Sequence, residues 1–212
     1  MDARRKVNGK PERLVWRRTN TPLKIVVIYG SVRSHRRGIK AARFVERQFK
    51  ERGHDVTVVD PLEHQLPLLD KMYKEYPKGS APENLERLAT LYRAADAFVI
   101  VTGEYNHSVP PALSNLLDHF LEEYFFRPSG IVSYSGGPFG GVRAAVQLRA
   151  MLCELGMPST PSMFPVPKVG TAFGDDGAPA DPEITKRFQR FASELEWYAE
   201  ALRDRRRTGV PY

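Results

Sequence analysis

Short apolar runs alternate with amphipathic stretches from residue 23 onward. The first run, residues 25–28, reads Ile-Val-Val-Ile, and unbroken runs of this kind are typical of strands that are covered on both faces. The amphipathic stretches repeat apolar residues at helical spacing and end at breakers such as Gly53 and Pro158. The pattern therefore predicts βαβ units and a parallel sheet.

Five strands and five helices follow from this pattern. The predicted strands cover residues 23–29, 55–59, 97–102, 129–134 and 162–166. The predicted helices cover residues 38–52, 83–94, 110–124, the stretch from 141 to about 156, and 183–205. Such a sheet with helices between its strands forms a three-layer α/β sandwich, in which ligands bind beyond the carboxyl ends of the strands.

The 212 residues fit one domain with extensions at its ends. We expect a basic N-terminal arm at 1–22, one domain at 23–206 and a tail at 207–212. Much of the net charge of +7 lies at the two ends of the chain. Charge clusters at chain ends are more often solvated tails than shaped surfaces, so binding of nucleic acid is the weaker interpretation. One hypothesis for the arm is that it wraps a neighbouring subunit.

Three absences narrow the class of protein. No run of eighteen apolar residues occurs, so we expect no membrane span. Residues 1–21 lack the apolar segment of a secretory signal, which makes the cytoplasm the expected compartment. Cys153 is the single cysteine, which excludes an intrachain disulfide and a zinc site of several thiolates, and we expect no metal.

The loop after the first strand reads G-S-V-R-S-H-R-R-G at residues 30–38 and leads into a helix. Backbone amides, the Ser31 hydroxyl and the helix N-terminus can donate to an anion, and Arg33 and Arg36 carry forked donors that match phosphate oxygens. The loop lacks the patterns of a triphosphate or dinucleotide site, so a monophosphate fits better. The alternative is an ordinary turn with surface arginines.

Two further loops follow the third and fourth strands. The first reads G-E-Y-N-H-S-V-P-P at residues 103–111, and its aromatic and amide groups suit the face and edge of a planar ring. His107 is interpreted as a loop residue in preference to a catalytic base. The second, residues 135–141, holds four glycines, which allow the backbone to approach a flat ligand closely.

Together these segments resemble the NADPH-dependent FMN reductase family, which includes quinone, azo-dye and chromate reductases. The family pattern G-S-x-R-x-x-R-x-G is similar to residues 30–38, P-E-Y-N-x-S-x-P-x-x-L-x-N is similar to 103–115, and S-x-G-x-x-G-G is matched loosely by 135–141. The resemblance covers about residues 23–166. Gly103, Pro111 and Ser114 stand where the family often has proline, glycine and lysine, which bears on flavin affinity and substrate shape.

The resemblance implies a flavodoxin-like sandwich with strand order 2-1-3-4-5, FMN as cofactor and NADPH or NADH as co-substrate. It also implies a homo-oligomer, either a dimer or a tetramer. The first loop would hold the phosphate and the other two would line the isoalloxazine ring. The cofactor-binding residues implied in this way are Ser31, Arg33, Arg36, Gly38, Ile39, Glu104, Tyr105, Asn106, His107, Ser135, Gly136, Gly137 and Gly140.

The predicted function is that of an FMN-dependent NAD(P)H oxidoreductase, which reduces flavin, quinones or similar small acceptors by hydride transfer through flavin N5. No side chain is assigned a catalytic role, because the bound flavin carries the hydride. The alternative is a non-catalytic electron carrier or redox sensor. Carriers of this fold usually hold phosphate with a Ser/Thr-rich loop amid acidic charge, so the arginines of the first loop favour the enzyme.

The apolar face of the third predicted helix has two interpretations. It either forms a dimer interface or packs against the sheet as part of the core. Its members are Leu113, Leu116, Leu117, Phe120 and Leu121.

Overall fold

The computed structural model describes residues 6–7, 10–11, 16 and 21–212. A central sheet contains five strands: β1 Lys24–Tyr29, β2 Asp55–Val59, β3 Ala97–Gly103, β4 Ser129–Tyr134 and β5 Ser159–Val166. All neighbouring strands are parallel, in the order β2-β1-β3-β4-β5. The predicted strand order is therefore confirmed.

Helices connect consecutive strands, two more follow β5, and together the helices cover both faces of the sheet. They are α1 Ile39–Glu51, α2 Glu83–Ala94, α3 Pro111–Asp118, α4 Val142–Glu154, the short α5 Val169–Ala172, and α6 Pro182–Arg206. Two 3₁₀ turns, Tyr73–Glu75 and Glu122–Tyr124, lie in the connections. One core cluster packs α1 and α6 against one face, and a second packs α2, α3 and α4 against the other.

The apolar strand runs are buried as their composition predicts. Every residue of β3 and β4 is buried, and so is every residue of β1 after Lys24. β2, at an edge of the sheet, instead alternates between exposed and more buried positions. Burial on both faces explains why the central strands carry continuous apolar runs.

Two sequence-based boundaries are wrong by three residues or more, and one short helix was not predicted. The third helix ends at Asp118, not near 124, because Leu121 leaves helical geometry at φ −149° and the His119 carbonyl accepts a hydrogen bond from Tyr73 N at 2.8 Å. β5 begins at Ser159 instead of 162, where the Arg149 guanidinium donates to the carbonyls of residues 159–161. The sequence pattern predicts no element between residues 166 and 183, where the structure contains α5.

A buried ionic cluster joins α6 to the start of the sheet. Glu196, with no exposed surface, accepts two hydrogen bonds of 2.6 Å from Arg52 and contacts His54 Nε2 at 2.8 Å. His54 Nδ1 accepts from the Leu23 amide, so Nε2 carries the ring proton and donates a hydrogen bond to Glu196. Burial raises the pKa of Glu196, but the Arg52 and His54 hydrogen bonds outweigh it and lower that pKa to about 2.

Little of the predicted N-terminal arm lies within the described residues. Lys6–Val7 and Lys10–Pro11 form an antiparallel pair of two-residue strands. Trp16 Nε1 donates to Glu200 on α6 at 3.1 Å. The hypothesis that the arm wraps a neighbouring subunit lies outside the described residues. Among the helices that the structure describes, none has the length and apolar character that a membrane crossing requires.

Candidate functional site

The loop between β1 and α1 lies at the carboxyl edge of the sheet, at the point where the strand order reverses between β1 and β3. Gly30 N donates to Val101 O at 3.1 Å, which fixes the start of the loop. A Cβ on Gly30 would lie 2.7 Å from Leu113 Cβ, so glycine is needed for α3 to pack here. The amides of Ser31, Val32, Ser34 and Arg36 donate to no acceptor within residues 21–212. These N–H groups are free to receive an anion.

The two predicted phosphate-binding arginines differ in their partners. Arg36 forms an ion pair with Asp60 at the end of β2, and its guanidinium lies 5.5 Å from the centre of the Tyr29 ring. The hydrogen bond to Asp60 raises the pKa of Arg36. Arg33 has no carboxylate partner within residues 21–212, and its guanidinium lies 5.9 Å from the centre of the Tyr105 ring. Arg33 therefore has the less compensated positive charge.

The loop after β3 forms a tight hairpin. Tyr105 and Ser108 exchange backbone hydrogen bonds of 3.0 and 2.8 Å, and the two residues between them, Asn106 and His107, have φ of 50° and 63°. Two consecutive positive φ angles define a type I′ turn, for which asparagine is well suited. Both turn residues are exposed at its tip.

This hairpin is attached to α4 at both ends. The Glu104 carboxylate accepts from the amides of Arg143 and Ala144 at 3.0 and 3.2 Å, and so caps a helix whose own N-cap residue is a glycine. Gln147 accepts from the Ser108 hydroxyl at 2.7 Å and donates to the His107 carbonyl at 2.9 Å. Glu104 and Ser108 thus hold the hairpin in place.

The glycine-rich loop after β4 is closed by Ser135. Its hydroxyl donates to Gly137 O and accepts from Gly140 N, each at 3.0 Å. Gly140 and Gly141 have φ of 63° and 73°, which favours glycine at both positions. A Cβ on Gly136 or Gly137 would meet nothing within 4 Å, so this part of the loop faces open space.

The three loops surround one cleft with a volume of about 360 Å³, within the size range of small-ligand sites. Eight of the sequence-predicted residues line it: Ser31, Arg33, Arg36, Gly38, Glu104, Tyr105, Ser135 and Gly136. Five do not: Ile39, Asn106, His107, Gly137 and Gly140. Ile39 packs against the core, and the Gly140 amide is already bonded to Ser135.

Five further residues, which were not among the predicted cofactor-binding residues, line the cleft: His35, Arg37, Gly103, Tyr134 and Val169. The sequence pattern places Tyr134 in a strand, and a strand residue carries no sequence signal that it lines a cleft. Gly103 and the residues beside Arg36 carried a signal, because they lie within the segments that match the family patterns. Val169 belongs to α5, a helix that the sequence pattern did not predict.

The apolar face of the third predicted helix is core. Leu113, Leu116, Leu117 and Phe120 are buried against the sheet within the chain, and Leu121 packs beside them. The structure therefore favours core packing over a dimer interface for this face. Asn115, on the same helix, accepts from Leu69 N at 2.9 Å and donates to Pro67 O at 2.8 Å, which fastens the loop after β2.

Comparison with known proteins gives a consistent family. A family model for NADPH-dependent FMN reductase matches residues 23–171. The chain is 27% identical to the NADPH azoreductase of Bacillus sp. (strain OY1-2) over 84% of this chain and 96% of that protein. It is 32% identical to the quinone reductase of Pseudomonas putida (strain KT2440) over 80% and 92% of the two chains.

Solved structures agree on the fold. FerB, a flavoenzyme NAD(P)H:(acceptor) oxidoreductase from Paracoccus denitrificans, superposes with a TM-score of 0.68 at 22% identity, over 84% of this chain and 98% of that one. A mutant flavodoxin from Pseudomonas aeruginosa has a TM-score of 0.50 at 19% identity, over 85% and 99% of the two chains. The fold is thus flavodoxin-like, and the family match extends over more than half of the sequence. The chain belongs to the NADPH-dependent FMN reductase family.

Proposed function

We propose that this chain binds FMN in the cleft between its three loops and uses NAD(P)H to reduce a quinone, a free flavin or a similar small acceptor. Family membership supports an FMN-dependent oxidoreductase with NADPH or NADH as co-substrate. One observation carries the assignment to this cleft. Unbonded backbone amides and Arg33, which has no carboxylate partner within residues 21–212, border this cleft together with the open space beside Gly136.

These residues fit a phosphorylated planar ligand. The unbonded amides of the loop after β1 and the Arg33 guanidinium would hold the phosphate group. Arg36, already paired with Asp60, would fix the loop and add weaker attraction. The ring would lie between the backbone of Glu104 and Tyr105 on one side and that of Ser135 and Gly136 on the other.

The chemistry that FMN supplies when bound is the transfer of a hydride equivalent through N5 from NAD(P)H to the acceptor. The protein's contribution is to orient both partners and to exclude competing reactions. The hairpin that Glu104 and Ser108 attach to α4 gives this wall of the cleft a fixed geometry. No side chain in the cleft is required as an acid or a base.

The substitution Arg33→Gln tests the phosphate site. It removes a charge-assisted contact, so the dissociation constant for FMN should rise about 10-fold to 100-fold. Arg190→Gln is the matched control, because Arg190 is an exposed arginine on α6 and does not line the cleft. Affinity is measured by quenching of FMN fluorescence. Equal affinities for the two variants would contradict the assignment.

The overall function is tested by the absorption spectrum of the FMN-loaded protein. NADPH or NADH should bleach the flavin band at about 450 nm, and a quinone should restore it. Protein that binds FMN without this bleaching would be a carrier or sensor. Protein that binds no FMN would refute the proposal.

We also propose that the chain acts in the cytoplasm as a homo-oligomer. The apolar face of α3 is buried against the sheet within the chain, so a subunit interface has to involve other surfaces. Light scattering of the purified protein would give the mass, and a monomer at micromolar concentration would contradict this part of the proposal.

A further inference from the structure

Tyr134, the last residue of β4, occupies the floor of the cleft between two loops. A Cβ on Gly38 would lie 2.0 Å from Tyr134 Cζ, and a Cβ on Gly103 would lie 3.2 Å from the Tyr134 hydroxyl. The phenol end of the side chain is therefore wedged between the N-terminus of α1 and the end of β3. Tyr134 is 9% exposed and is a lining residue of the cleft.

The Tyr134 hydroxyl has weak bonding within the protein. It donates to the Tyr29 hydroxyl at 3.4 Å, well beyond the usual distance for a hydrogen bond between two oxygens, and it also interacts with the Ser31 hydroxyl of the first loop. Tyr29 in turn contacts the Arg36 carbonyl at 3.5 Å. Burial, and then the neighbouring Tyr29, raise the pKa of Tyr134 well above its usual value, so the phenol keeps its proton. A buried donor with such a long bond is available to a better acceptor.

The surroundings of this hydroxyl favour an anionic acceptor. Gly38 precedes the first turn of α1, a 13-residue helix with no acidic residue in that turn and no side-chain cap. The unbonded amides of Ser31, Val32, Ser34 and Arg36 lie in the same loop. The hydroxyl, the amides and the helix N-terminus are all donors. The carboxylates on either side of them, Asp60 and Glu104, are already bonded to Arg36 and to the first turn of α4.

We propose that the Tyr134 hydroxyl donates a hydrogen bond to the phosphate group of FMN. The inference rests on the proposed function and deepens it, since it adds a residue from β4 to a phosphate site otherwise built by the first loop. Tyr134 is also the residue that joins the phosphate end of the cleft to the strand that leads into the glycine-rich loop.

The test compares two flavins that differ by the phosphate group. In Tyr134→Phe the ring and its packing stay, and the donor is lost. The dissociation constant for FMN should rise about 10-fold, whereas that for riboflavin should stay within about twofold of wild type. Tyr92→Phe is the matched control, because it removes the hydroxyl of a fully buried tyrosine that does not line the cleft, and it should change FMN affinity by less than about threefold.

Each other outcome overturns the inference. Unchanged FMN affinity in Tyr134→Phe would show that the hydroxyl makes no contact with the phosphate. An equal loss for FMN and riboflavin would show that the substitution acts through packing. Wild-type protein that binds neither flavin would refute the proposed function, and this inference would fail with it. Failure of the proposed function can be told apart from failure of this inference alone, because it is seen in the wild type before any substitution is made.

Discussion

Replacing Gly38 by alanine tests the close contact on which the cleft is built. Gly38 has φ −65° and ψ −15°, ordinary helical geometry that alanine adopts readily. On backbone grounds alone the substitution should stabilise the fold by roughly 0.5–1 kcal/mol. The new methyl group would lie 2.0 Å from Tyr134 Cζ and 2.4 Å from Cε2, however, so the ring or the start of α1 has to move by more than about 1 Å.

Neither neighbour can move freely, since Tyr134 is held between Gly38 and Gly103 and stacks with the buried Tyr29. Overpacking of this kind costs about 1–3 kcal/mol, and the severity of the contact places the expected net loss at about 2 kcal/mol. With a urea slope of about 2 kcal/mol/M, the unfolding midpoint of Gly38→Ala should fall by about 1 M. Because α1 begins here, FMN affinity should fall as well.

Gly136→Ala serves as the control for this experiment. It also places a methyl group in the cleft, but a Cβ there meets nothing within 4 Å, so its unfolding free energy should stay within about 0.5 kcal/mol of wild type. Adding Tyr134→Leu to Gly38→Ala should recover part of the lost stability, measured as a coupling energy in a double-mutant cycle. If Gly38→Ala unfolds at the same urea concentration as Gly136→Ala, the steric argument is refuted.

Two further predictions concern carboxylates described above. Glu104→Ala removes the cap of α4, so it should lower the unfolding free energy by about 1 kcal/mol and speed amide exchange at residues 143 and 144. Glu104→Gln should lose less stability than Glu104→Ala. Equal exchange rates in the wild type and in both variants would count against the cap. Glu196 has its pKa lowered from 4.5 to about 2, so its stabilisation is complete above pH 4.5 and is lost as the pH falls through 2. Between about pH 6 and pH 2 the wild type should therefore lose about 3 kcal/mol more unfolding free energy than Glu196→Gln, whereas parallel denaturation curves would exclude this role.

The sheet was predictable because burial on both faces imposes a pattern that few other structures share. β2, α2 and β4 have the boundaries that the apolar runs indicate. The end of α3 was not predictable in the same way. Phe120 continues the apolar spacing of a helix, but it turns into a cluster with Tyr73 and Tyr92 that comes from distant parts of the chain.

The site was predictable as a set of loops but not as a set of contacts. Glycines and arginines at strand ends indicate where a ligand lies, because parallel strands bring their carboxyl ends to one edge. The pairing of Arg36 with Asp60 and the bonding of Glu104 to α4 depend on partners 24 and 39 residues away. Tyr134 could not be predicted as a cleft residue for a related reason. Its position depends on how the loops before α1 and after β3 pack around it, and the local sequence does not show this.

The cap that Glu104 places on α4 affects how a charged ligand is oriented within the cleft. α1 and α4 both follow loops that border the cleft, and each helix N-terminus carries a partial positive charge. A carboxylate neutralises that charge at α4, whereas α1 keeps it. The cleft is thus electrically asymmetric, and an elongated molecule with one anionic end should bind with that end at α1.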